Sequence, residues 1–341
     1  MGHTACGDDP QARLPRERRV ASTGPRIARK RILKDVPPLR FGEGRECSLP
    51  NCIAIATGEE YDWIMGASGA AFTTTIDTDR WDPLAAAPLD DATLARAARG
   101  AGKRADPVAA PFDEEMKELV LDRILEALDA KTPPLARGLV GPAEYGLIVG
   151  CDDEAPTFYA RTYFDKKEPP TKLDWSAFDH DGLVVFLDPA GAPDRTAIAR
   201  DAVANAVTSA PASDGAIASW IEALRDDARW TDTKHAGVAA FADHAMRTIL
   251  ADKRRAAASF LRSARALFPN APGADLLRAA ESYGYVTDAA KKVGVGPFDA
   301  SVAMRFLDPG HRRAWAKQLE AALGHERDAH AALAAARGGM R

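Results

Sequence analysis

Cys47 ends the polar, glycine-rich run Phe41-Gly-Glu-Gly-Arg-Glu46 and opens the apolar run Ser48-Leu-Pro-Asn-Cys-Ile-Ala-Ile-Ala56. The second run is expected to form a helix over residues 48–57, which places the cysteine sulfur at the positive end of that helix. Unpaired N–H groups and the helix dipole stabilise a thiolate there. Arg45 adds positive charge two residues away and Glu46 opposes it. Such a thiol can serve as a nucleophile. The competing reading is a small buried cysteine at the foot of a core helix, since cysteine is among the residue types most often enclosed. Ser68, in Gly66-Ala-Ser-Gly69, is a poor nucleophile-elbow candidate, because that motif needs Gly-x-Ser-x-Gly between a strand and a helix. Its glycines are expected to line a pocket or to let two backbones pack closely. His235 and His244 are nine apart, which suits one helical face poorly, and Asp152-Asp153-Glu154 reads as a solvated hairpin turn. No metal site is expected. Trp220 and Trp230 read as core residues rather than cleft walls.

These residues must be positioned by a chain of 341 residues, 46% hydrophobic and 28% charged, with a net charge of −4. That composition supports a substantial core and gives no general reason to expect nucleic acid or an anionic membrane as partner. Cys6, Cys47, Cys52 and Cys151 include no Cys-x-x-Cys pair, so a disulfide framework or structural zinc is not expected and a reducing, cytoplasmic setting is. Residues 1–35 read as a disordered basic tail, with Arg16, Arg18, Arg19, Arg26, Arg29, Lys30, Arg31 and Lys34 amid little apolar content. Beyond residue 36, helices are expected over 48–57, 91–100 and from Asp113 as N-cap, and a strand over Phe72-Thr-Thr-Thr-Ile76. Leu135–Val140, Tyr145–Gly150, Thr157–Phe164 and Gly182–Leu187 follow as four strands separated by turn residues. Helices first and strands afterwards is an α+β order with an antiparallel sheet. After about residue 190 the chain is alanine-rich and reads as an all-α unit. Its helices are placed at 214–229, 237–253, 254–267, 273–283, 299–306 and 311–337.

Three stretches carry a resemblance: Arg40 to Phe72, Glu144 to Asp165, and Asp214 to Asp227. Together they cover 69 of the 341 residues, about a fifth of the chain. They resemble the BtrH-like, bacteriocin-leader-peptidase-like branch of the papain-like cysteine family, in which a Cys-led helix precedes a tyrosine-containing segment and a Gly-x-Ser-Gly-x-x-Phe stretch. The resemblance implies a papain-like α+β domain over 36–190, with the helix packed on an antiparallel sheet, and an all-α C-terminal domain over 191–341. It implies Cys47 as nucleophile. The family's histidine, expected at the start of the strand after the helix, is replaced by Ala143-Glu144-Tyr145, and no glutamine precedes the cysteine. Glu144, or His180 from the last hairpin, is then the candidate base, and Glu46, Ser48, Ser68, Gly69 and Tyr145 are the candidate substrate-binding residues.

Two functions follow. One is cysteine-dependent acyl transfer, or amide or thioester hydrolysis, on a small metabolite or peptide, with an acyl-carrier thioester as a possible donor. An activated thioester needs less acid assistance than an amide, which favours transfer over proteolysis. The other is a catalytically degenerate papain-like domain that binds a peptide or metabolite. Neither calls for a cofactor.

Overall fold

Leu183-Val-Val-Phe-Leu187, Leu135-Ala136 and Tyr145 to Cys151 are apolar without interruption, as strands covered on both faces must be. The computed structural model describes residues 30–152, 157–165, 169–178, 182–292 and 300–340. Its strands are β1 (Lys30–Ile32), β2 (Lys103–Ala109), β3 (Leu135–Arg137), β4 (Tyr145–Asp152), β5 (Thr157–Arg161), β6 (Thr171–Leu173) and β7 (Leu183–Pro189). They form one antiparallel sheet in the order β2-β7-β3-β4-β5-β6. β3 and β1 share one edge of β4, β3 pairing at Tyr145–Leu147 and β1 at Gly150–Asp152. The helices are α1 (Ser48–Thr57), α2 (Tyr61–Ser68), α3 (Asp91–Gly100), α4 (Glu114–Asp129), α5 (Arg195–Arg225), α6 (Thr233–Ala264), α7 (Ala271–Lys291), α8 (Ala300–Leu307) and α9 (Pro309–Gly339).

The α+β class, the helix over 48–57 and its seat on an antiparallel sheet are as expected. Pro50 lies in the first turn of α1, where its missing N–H costs no hydrogen bond, and Gly58 ends the helix in the left-handed region at φ 73°. Strand alternation splits the sheet. Leu135, Tyr145, Leu147, Val149, Leu183, Val185 and Leu187 belong to the core that contains α1 and α2. Ala136, Ile148, Phe158, Ala160, Val184 and Phe186 pack with Val120, Ile124 and Leu128 of α4. A register shift between Ile148 and Gly150 reverses the alternation, so Cys151 joins the α4 side.

Several expectations need correction. Among the described residues the sheet has seven strands rather than four. β2 escapes notice because Lys103-Arg-Ala-Asp-Pro-Val-Ala alternates weakly and contains proline, which a sheet tolerates at an edge such as β2 occupies. Within the expected disordered tail, Lys30–Ile32 pairs with β4 and Leu33 N donates to Val149 O at 2.8 Å, so the ordered chain begins before residue 36. Residues 73–76 form no strand. Their backbone is held by side chains from the helical region, Ser213 Oγ accepting from Thr74 N at 3.0 Å while Lys253 donates to Thr73 O at 3.3 Å. The expected break between 253 and 254 is absent, because α6 runs through it, and α5 begins well before Asp214.

The helices after residue 190 also do not build a core of their own. One cluster joins Cys52, Ile64 and Phe72 to Trp220, Phe260, Tyr283 and Leu319. Gly66 is the closest approach: a Cβ there would lie 2.0 Å from Phe260 Cγ, so α2 packs on α6 only because that position has no side chain.

Candidate functional site around Cys47

Cys47 is the N-cap of α1, as expected, but it does not face a cleft. It is completely enclosed, and Cys52 one turn on is enclosed too. Burial pushes the Cys47 thiol far above its ordinary range. Lys253 opposes that shift, and Asp252, Glu144 and Glu46 reinforce it. The helix-end stabilisation expected from sequence is outweighed, because the cost of charging a sulfur removed from water exceeds what one helix terminus offsets.

The reason lies in what closes over the thiol. The Tyr61 hydroxyl accepts from Cys47 N at 3.2 Å and donates to Asp252 Oδ2 at 2.5 Å. Asp252 Oδ2 also accepts from Glu46 N at 2.9 Å, and its Oδ1 accepts from Arg255 at 2.8 Å. Arg255 reaches on to Gly44 O at 3.0 Å and grips both oxygens of Asp62 at 2.8 and 2.9 Å. Glu46 turns back on its own loop and accepts from Gly42 N at 2.6 Å and Gly44 N at 2.7 Å. On the far side the Tyr163 hydroxyl donates to Arg45 O and accepts from Asn51 at 2.9 Å. An amide that an oxyanion site would use is therefore bonded to a phenol, and residues 42–46 are tied down from α6 and from the turn that follows β5.

Glu46, Cys47, Ser48, Glu144 and Tyr145 do come together. Ser48 Oγ accepts from Tyr145 N at 3.2 Å, and Ser48 hydrogen-bonds the Glu144 carboxyl, which burial holds above the usual carboxylate range. Glu144 Oε2 is enclosed without a hydrogen-bond partner, and the enclosed Tyr145 hydroxyl has the Arg137 guanidinium beside it, which opposes the effect of burial on its pKa. Tyr145 has its pKa pushed up to about 12, chiefly by burial. Ser68 and Gly69 do not join the cluster. They lie at the opposite end of α2 from Tyr61, roughly 10 Å away at 1.5 Å per residue. Ser68 is buried, donating to Met65 O and accepting from Ala70 N, and Gly69 is the left-handed cap of α2 rather than a pocket wall. His180 lies outside the described residues.

Sequence reasoning missed Tyr61, Asp252, Lys253 and Arg255. A signal was available in Asp252-Lys-Arg-Arg255, four consecutive charges between apolar neighbours in one helix. Four successive helical positions point to all sides, so some of these charges must face the core. Lys253 is buried, donates to Ala86 O at 2.7 Å and Thr73 O at 3.3 Å, and has its pKa pushed down to about 8 by burial, with Cys47 opposing. Arg254 is fully buried against Glu326.

One open cleft of about 330 Å³ lies near this network, at the sheet end where β2, β3 and β7 meet the loop before β4. Leu89, Ala109, Ala110, Arg137, Ala143, Gly182 and Leu183 line it. Arg137 pairs in register with Tyr145, whose N–H bonds Ser48, so the cleft is one cross-strand step from the start of α1. Among the described residues no cluster of three or more His, Cys, Asp or Glu could hold a metal, and no helix is long and apolar enough to cross a membrane. Neither a scan of protein-family models nor a search of curated proteins finds a match to this chain.

Proposed function

We propose that this chain is a catalytically degenerate member of the papain-like, BtrH-like lineage that binds a peptide or small metabolite without turning it over. The observation that carries this reading is the state of Cys47: enclosed, held protonated by burial, with its N–H bonded to Tyr61 and three carboxyl groups raising the cost of ionising it. A nucleophile needs access and a thiolate. Here the sulfur is enclosed, and the polar groups around it fasten the loop that leads into it.

The second reading, acyl transfer from a thioester, is favoured by Lys253. Its charge is the largest influence that pulls the thiol pKa down, and it would support a thiolate if the loop opened. The experiment that separates the two is iodoacetamide labelling of the native protein from pH 7 to 10, with Cys47 and Cys52 quantified by peptide mapping. A butyryl N-acetylcysteamine thioester is supplied in parallel. The binding reading expects Cys47 to label no faster than Cys52, and thioester loss no greater than for Cys47→Ser. Fast, selective labelling of Cys47 together with thioester consumption abolished in Cys47→Ser would replace it with the transferase reading.

A further inference from the structure

Resting on the binding reading, we propose that the cleft at the end of the sheet is the ligand site and that it selects a monocarboxylate with a short apolar body, Arg137 receiving the carboxylate. The walls are alkyl groups and backbone: Leu89, Ala109, Ala110, Ala143, Gly182 and Leu183. Among the described residues Arg137 alone brings a formal charge to this lining, and it is half-buried. Among the described residues no carboxylate lies within ion-pair distance of it, whereas Arg99, Arg104, Arg123, Arg195 and Arg225 each have such a partner. An arginine at a cleft without a protein anion is the arrangement that awaits one from a ligand, and its planar fork matches a carboxylate in bidentate geometry.

The guanidinium is also positioned. β3 and β4 place Arg137 directly opposite Tyr145, with the guanidinium carbon 6.0 Å from the tyrosine ring centroid. Tyr145 is itself fixed by burial and by the bond from its N–H to Ser48. The volume, at the lower end for small-molecule sites, suits a short-chain acid rather than a folded peptide or a nucleotide. Charge narrows the class further. One guanidinium, with no second cation among the described lining residues, neutralises a monoanion, whereas a phosphate dianion would keep an uncompensated charge against the alkyl walls.

The test is calorimetric titration of the full-length protein with hexanoate, hexanamide and hexyl phosphate. Arg137→Gln removes the charge, and Ala109→Phe fills the cleft while keeping it. The inference expects saturable hexanoate binding, at least tenfold weaker for hexanamide, and weakened at least tenfold by either variant with thermal unfolding of Arg137→Gln unchanged. Hexanamide binding as well as hexanoate, hexyl phosphate binding more tightly, no hexanoate binding, or affinity indifferent to Arg137→Gln would each overturn it. These outcomes are separate from fate of the binding reading, which turns on Cys47 labelling and thioester loss and survives if a ligand binds elsewhere.

Discussion

Asp252 is the hub of the enclosure around Cys47, and replacing it gives the sharpest check on that account. Its side chain is 2% exposed and accepts from Tyr61 Oη and Glu46 N inside the protein, as well as from the partly solvated Arg255. Asp252→Ala leaves the Tyr61 hydroxyl and the Glu46 amide without acceptors. An unpaired buried donor costs on the order of 1–2 kcal/mol here, and the Arg255 pair, one third exposed, adds roughly 0.5 kcal/mol, for a total of about 3 kcal/mol. Tyr61→Phe removes the same hydroxyl from the other side and strands Cys47 N, at about 2 kcal/mol. Because the two variants share one bond, the double variant is expected near 3.5 kcal/mol rather than 5, a coupling of about 1.5 kcal/mol. Urea unfolding followed by far-ultraviolet circular dichroism and by tryptophan fluorescence, with coincident transitions, measures all four proteins. Additivity within about 0.5 kcal/mol would show that Tyr61 and Asp252 are not linked as described, and the enclosure argument would fail with them.

Glu326→Leu should destabilise by about 3–5 kcal/mol, because it leaves the enclosed Arg254 guanidinium without its carboxylate, while Arg254→Met combined with Glu326→Leu should recover most of that loss. Urea midpoints of the three proteins decide it, and a double variant no better than the single one would contradict the reasoning. Lys253 sets a pH dependence: with its pKa near 8 when folded and near 10.5 when unfolded, the unfolded chain binds the extra proton between those values, so its contribution to stability rises with pH across that window. Relative to Lys253→Met, the wild type should gain roughly 2–4 kcal/mol between pH 7.5 and 10.5. A flat difference in unfolding free energy over that range would mean that Lys253 is not desolvated.

Local signals were legible in the sequence because they are written in neighbouring residues. The helix over 48–57 follows from its apolar run, Pro50 in the first turn and Gly58 at the end, and the helix after Asp113 from its cap and its three-to-four spacing. The α+β class and the antiparallel pairing of four strands followed from strand length, turn residues and order along the chain. Tertiary structure alone decided the rest, since it depends on residues far apart in sequence. Residues 73–76 have strand-forming side chains, yet Ser213 and Lys253, 139 and 180 positions from the groups they bond, satisfy their backbone first. A cysteine at a helix start reads as a nucleophile when only its neighbours are counted. Whether it ionises depends on water, and the sulfur is enclosed in a network whose hub, Asp252, stands 206 positions from the Glu46 amide it holds.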